Sequence, residues 1–330
     1  MTDFRFEPVS ERAVRIDGAI RHSLADSCAA VLGEAARARV PISGDRHAWR
    51  AQVLAGPVPA RLWALYHALV QAVLALDGPA VSAAASALLG ALPAPPPAPG
   101  RVVGLGPDRL GTDVTLYRAV IDSDPTRPLD LQSPPAEEVD RLTRLVAEAR
   151  GLMQAASPAL ADECDRLGHE IVLATNARGS FGGAATVFLW GAVMLNPSRI
   201  PDRITMVEAL AHECAHALLF GLTLGADLTT NGPEARFASP LRADPRPIEG
   251  IVHATYVLAR MNYALEQLLA TPLLTREERR LATEKLARNR SNYAAGLGVV
   301  DAHARFTPEG AAIFSACRAA MALPSLAALG

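Results

Sequence analysis

The sequence predicts a mostly helical α+β protein. A helical N-terminal region covers residues 1–92, a proline-rich linker 93–100, and a second region with a small sheet 101–330. Three observations predict this. Apolar residues recur at helical spacing through most of the chain. Strand-like runs are confined to a few short segments after residue 100. Between the two parts lies Pro93-Ala94-Pro95-Pro96-Pro97-Ala98-Pro99-Gly100, which can enter neither a helix interior nor a sheet interior.

Taken in order, 13–39 and 60–92 are Ala- and Leu-rich helical segments, interrupted by Gly56-Pro57-Val58-Pro59 and Asp77-Gly78-Pro79. After the linker, 114–120 reads as a short strand. Ser133-Pro134-Pro135-Ala136-Glu137 opens a helix to about Ala156, since a serine cap, prolines in the first turn and an acid behind them are start signals. A helix over 158–167 follows. Residues 170–175 and 186–195 are the clearest strands, separated by Gly179-Ser180-Phe181-Gly182-Gly183. Asp202 caps a helix over 203–224. Residues 231–247 form a proline-punctuated loop, and helices follow over 248–269, over 276–295 and from Thr307-Pro308.

Composition narrows the function. A net charge of −2 argues against nucleic acid as a partner. Lys285 is the sole lysine, which reflects an arginine-rich coding bias. Cys28, Cys164, Cys214 and Cys317 lie far apart, with neither zinc-ribbon nor disulfide spacing, so reduced thiols in a cytoplasm are expected. The first seven residues carry no apolar signal core, and the apolar run 62–76 is too short to span a bilayer, so no membrane role is expected.

One motif carries chemistry. His212-Glu213-Cys214-Ala215-His216 fits H-E-x-x-H and lies in an otherwise apolar helix. Residues four apart share a helix face, so both imidazoles can reach one ion, and a divalent cation offsets the cost of burying them. Glu213 lies about 100° round the helix, placed to touch a metal-bound water or a neighbouring ligand. The metzincin extension needs Gly and His where Leu219 and Leu222 stand, so that class is excluded. His253, 37 residues after His216 on an apolar helix, is the expected third ligand, with Glu249 the alternative. Arg260 lies within about 20° of the His253 face. A cation there needs an intervening anion: either a bound dicarboxylate, or an Asp or Glu of the chain. Snorkelling to solvent is the remaining possibility. Glu208 is either a partner of His212 or solvent-facing, Cys214 is expected in the core, and His303 is expected in a surface or capping role. Gly104-x-Gly106 reads as a turn, not a phosphate loop.

Downstream, Ala238-Ser239-Pro240-Leu241-Arg242-Ala243-Asp244-Pro245-Arg246-Pro247 and the helix after it resemble the segment following H-E-x-x-H in the HEXXH motif peptide-modification proteins of ribosomal peptide natural product pathways. The run 186–196 before the motif helix is also similar, and the resemblance covers roughly 100–320. It implies a zincin-like catalytic core and iron(II)- and 2-oxoglutarate-dependent hydroxylation, with O2 as co-substrate, at Cβ of a residue in a precursor peptide. By it, His212 and His216 map to iron ligands, and Arg260 becomes the candidate for the distal carboxylate of 2-oxoglutarate. Two other readings compete: a zinc metallopeptidase with Glu213 as general base, and a non-catalytic member that binds a peptide. The run 186–195 is expected to offer an edge strand to that peptide.

Overall fold

The computed structural model describes residues 3–91, 98–122, 128–176, 181–240 and 244–322. Most of the proline-rich stretch, Gly179-Ser180 and residues 241–243 of the family-like segment lie outside the described residues. The chain is mostly helical with a small mixed sheet, and it divides into two compact units. One comprises Val14–Thr143 and Asp165–Arg199; the other comprises Met1–Ala13, Arg144–Cys164 and Ile200–Gly330.

The first, sheet-bearing unit opens with helices α1 (Ser10–Arg37), α2 (Arg46–Ala55), α3 (Ala60–Leu74) and α4 (Gly78–Gly90). Asp45 and Asp77 cap α2 and α4 by accepting backbone N–H bonds. Strand β1 (Arg101–Gly104) leads through the one-turn α5 (Pro107–Leu110) into α6 (Asp113–Ile121). The strand expected over 114–120 is therefore a helix. Val114, Tyr117 and Val120 recur every three residues and are all buried, a helical stripe that β-branched composition disguises. The short β2 (Leu131–Gln132) precedes α7 (Ala136–Ala156) and α8 (Pro158–Leu167), which match the expected helices.

Then come β3 (Glu170–Leu173), β4 (Thr175–Asn176), β5 (Gly183–Ala184) and β6 (Ala192–Leu195). The sheet order is β1-β3-β6-β5, with the first three strands parallel, β5 antiparallel to β6, and Val103, Val172 and Met194 in register. Strands β3 and β6 are buried along their length, while β1 is buried only at Val103 and Gly104. The strand expected over 186–195 is only its last four residues. Thr186 caps a 3-10 turn over Val187–Leu189, and Gly191 turns the chain at φ 88°, with the His169 ring where a side chain would stand. Strand β6 pairs with β3 along its length and with β5 at Met194 and Leu195, so it is an inner strand of the sheet and not the edge strand expected over 186–195.

The second unit is built on α9 (Arg203–Thr223), α10 (Ile248–Leu269), α11 (Arg276–His303) and α12 (Pro308–Ala322). Asp202 caps α9 by accepting from the Thr205 N–H (2.8 Å), and left-handed Leu224 and Gly225 end it. Helix α10 packs against both α9 and α11. Gly296 of α11 lets the backbones approach, since a Cβ there would run into the Thr255 hydroxyl of α10. Helix α11 runs eight residues beyond its expected end at Ala295.

Candidate functional site

Helix α9 is almost wholly buried, so the polar residues on it are held in place by their surroundings. Its His212 and His216 rings lie 5.1 Å apart, centroid to centroid. Helix α10 places His253 against His216: its ring stacks on that of His216 at 6.1 Å and 21°, and the Phe220 ring lies 5.6 Å from it. His216 thus neighbours each of the other two histidines singled out in the sequence, His212 on its own helix and His253 on the helix packed against it.

Each imidazole has a different setting. His216 makes ring contacts but no hydrogen bond among the described residues. Burial and the two neighbouring imidazoles hold its pKa well below the usual histidine range, so it is neutral, the form that binds metals. His212 Nδ1 lies 3.3 Å from the thioether of Met261, and Nε2 lies 3.9 Å from Glu213 Oε1. Glu213 is itself 5% exposed, and burial pushes its carboxyl up to about 8.

His253 Nε2 lies 3.3 Å from Glu249 Oε1. That carboxylate is otherwise occupied. It accepts from the Leu228 N–H (2.9 Å), the Thr229 N–H (3.0 Å) and the Thr229 hydroxyl (2.7 Å). Although burial opposes it, hydrogen bonding to His253 and to this turn holds the Glu249 pKa below its ordinary value. Glu249 therefore fastens the 228–229 turn to α10 and orients His253, which leaves His253 as the better third donor.

Among the described residues, no three His, Cys, Asp or Glu side chains are drawn together as a ready metal cage. Imidazole is a donor type that borderline divalent ions such as iron(II) and zinc take, and of the three rings His216 is held neutral between the other two.

Arg260 has an internal partner. It is 2% exposed, ion-pairs with Glu163 of α8 and donates from Nη1 to the Phe6 carbonyl (2.7 Å). Its guanidinium also lies over the rings of Phe6 and Tyr263 at 5.5 and 5.9 Å. Arg12 donates to the other Glu163 oxygen at 2.9 Å. The anion that a cation on this face requires is thus supplied by the chain. The motive for placing a 2-oxoglutarate carboxylate on Arg260 falls away. Glu163 carried no local mark in the sequence, and neither did Met261.

Glu208, one turn before His212, accepts from Lys285 Nζ (2.7 Å) and Asn289 Nδ2 (2.5 Å) and pairs with Arg288 (3.3 Å), tying α9 to α11. Cys214 is buried, its Sγ directed at the Cys164 carbonyl (3.8 Å), and the adjacent Cys164 thiol together with burial raises its pKa well above the usual thiol range, so it is an inert core residue. His303 lies outside the cluster; its ring rests on Phe237 at 4.7 Å and its carbonyl accepts from Asn231. No helix among the described residues is long and apolar enough to cross a membrane. No protein-family model matches the chain, and no curated protein matches it.

Proposed function

We propose that the chain is an iron(II)- and 2-oxoglutarate-dependent peptide β-hydroxylase, with His212, His216 and His253 holding the metal. The observation that supports this reading is that a neutral His216 lies beside both His212 on α9 and His253 on α10. The family-like segment 238–247 narrows it to peptide oxidation. When bound, iron with 2-oxoglutarate and O2 would supply the oxidising power for attack on an unactivated Cβ–H bond.

The chain's own residues do the positioning. Glu249 orients the His253 ring, as carboxylates behind ligating histidines do. Glu208 locks the first half of α9 against α11. Glu213, beside His212, can hold or pass a proton at the site. A cytoplasmic setting, where thiols and iron(II) stay reduced, fits this chemistry.

The zinc peptidase reading is favoured by one observation: the buried Arg260–Glu163 pair removes the arginine that would have marked a 2-oxoglutarate site. There Glu213 would take the proton from an attacking water.

The two readings part in a single assay. Anaerobically iron-loaded protein is given 2-oxoglutarate, O2 and a ribosomal precursor peptide. The hydroxylase forms succinate and a peptide heavier by about 16 mass units. The peptidase ignores 2-oxoglutarate and returns two fragments from the zinc-loaded protein.

A further inference from the structure

The sheet-bearing unit carries a second concave site, a cleft of about 710 Å³ that includes Arg61, Arg101, Arg109, Asp113, Tyr117 and Glu170 in its wall. Two of its three guanidiniums are matched from within. Arg61 Nε donates to both oxygens of Asp113 at 2.8 Å. Arg101 donates to Glu170 Oε1 at 2.9 Å, while the Tyr117 hydroxyl donates to Oε2 at 2.9 Å. Glu170 is 2% exposed at the start of β3, so this acid belongs to the wall and not to solvent.

Arg109 is different. It is exposed, and its side chain makes no ion pair or hydrogen bond among the described residues. Its position is nevertheless set by the fold. Gly106, just before α5, lies so close to Ser133 that a Cβ would stand 2.8 Å from the hydroxyl oxygen, and the Gly111 N–H closes the turn on the Pro107 carbonyl at 2.9 Å. Gly106 therefore seats this turn against Ser133, and the turn presents Arg109 to the cleft. The remaining wall includes Pro59, Pro99 and Leu110, which are apolar.

We propose that this cleft binds an aliphatic monocarboxylate, with Arg109 holding the carboxylate and the apolar wall holding the chain. Three guanidiniums face two carboxylates, so one positive charge is left over. That matches one carboxylate. A phosphate dianion would leave net negative charge beside the buried Glu170. The volume far exceeds a bare carboxylate, so the ligand has a body, either as a free acid or as the end of a peptide.

The inference is independent of the metal reading, and the test is run on the full chain with chelator present. Calorimetric titrations use hexanoate and N-acetyl-alanyl-leucyl-leucine, each against its neutral amide, with inorganic phosphate as a further probe. At least one carboxylate binds at one site while its amide does not, and which of them binds identifies the source. Arg109→Ala weakens that binding by about tenfold or more, and Arg109→Lys recovers part of it. Arg109 is exposed, so the variants keep the parental melting curve. The proposal is overturned if neither carboxylate binds up to about 10 mM. Unchanged affinity in Arg109→Ala, or tighter binding of phosphate than of either carboxylate, overturns it equally.

Discussion

Glu249 and His253 meet at 3.3 Å, and the carboxylate is already filled by the turn at Leu228 and Thr229. In the proposed metal site, a residue so engaged would act through its histidine neighbour. Glu249→Gln is therefore expected to weaken divalent-ion binding by about 10–100-fold without abolishing it, whereas His253→Ala removes a donor outright. Competition of each variant with a fluorescent chelator measures the two losses, and a larger loss in Glu249→Gln would make Glu249 the ligand. At this scale the sequence was legible where the signal is local. His212 and His216 are four apart on one helix face, and such a spacing survives into any helical structure. Arg260 was legible only as a cation needing an anion. Its partner Glu163 lies 97 residues away in the chain, and no local pattern identifies a partner at that distance.

Helices α9 and α10 have starts and faces that could be read directly, since Asp202 caps one and Pro247 opens the other. The elements misread are those where tertiary packing sets the outcome: α6, whose β-branched residues form a helical stripe, and β6, cut short by the turn at Gly191. The start of α11 gives an element-scale prediction. Thr275 and Glu278 form a reciprocal capping box, and Arg203 of α9 pairs with Glu278 at 2.6 Å. Glu278→Ala should cost about 1–2 kcal/mol at neutral pH, measured by urea denaturation. The Arg203 guanidinium chiefly lowers the Glu278 pKa to about 2 from an ordinary 4.5. A depressed acid stabilises the fold above its unfolded pKa and loses that contribution as pH falls through its folded pKa. The gap between parent and variant should therefore be full above about pH 5 and shrink between about pH 4.5 and 2. A gap that widens in acid would contradict the pairing.

At the scale of the whole molecule, each compact unit is assembled from separated stretches of chain, and such assembly leaves no mark in composition. The helical N-terminal region illustrates this: Ala60 and Ala64 of α3 lie in one core with Val172 and Met194 of the sheet. A chain beginning at Gly100 should consequently fail to give a cooperative thermal transition. The buried network of Arg12, Glu163 and Arg260 holds the N-terminal segment to α8 and α10 through the carbonyls of Phe6 and Glu7. Glu163→Gln leaves two buried guanidiniums without a counter-charge and should destabilise the protein by about 3–5 kcal/mol in urea, with or without 2-oxoglutarate. A loss seen only in 2-oxoglutarate affinity would restore Arg260 to the cosubstrate. The central claim remains that α9 and α10 together make one metal site. Anaerobic titration of the metal-free protein with iron(II) tests it most directly. The account predicts one equivalent bound by the parent and no stoichiometric binding by His212→Ala or His216→Ala. Absence of binding in the parent, or an unchanged equivalent in His216→Ala, would contradict it.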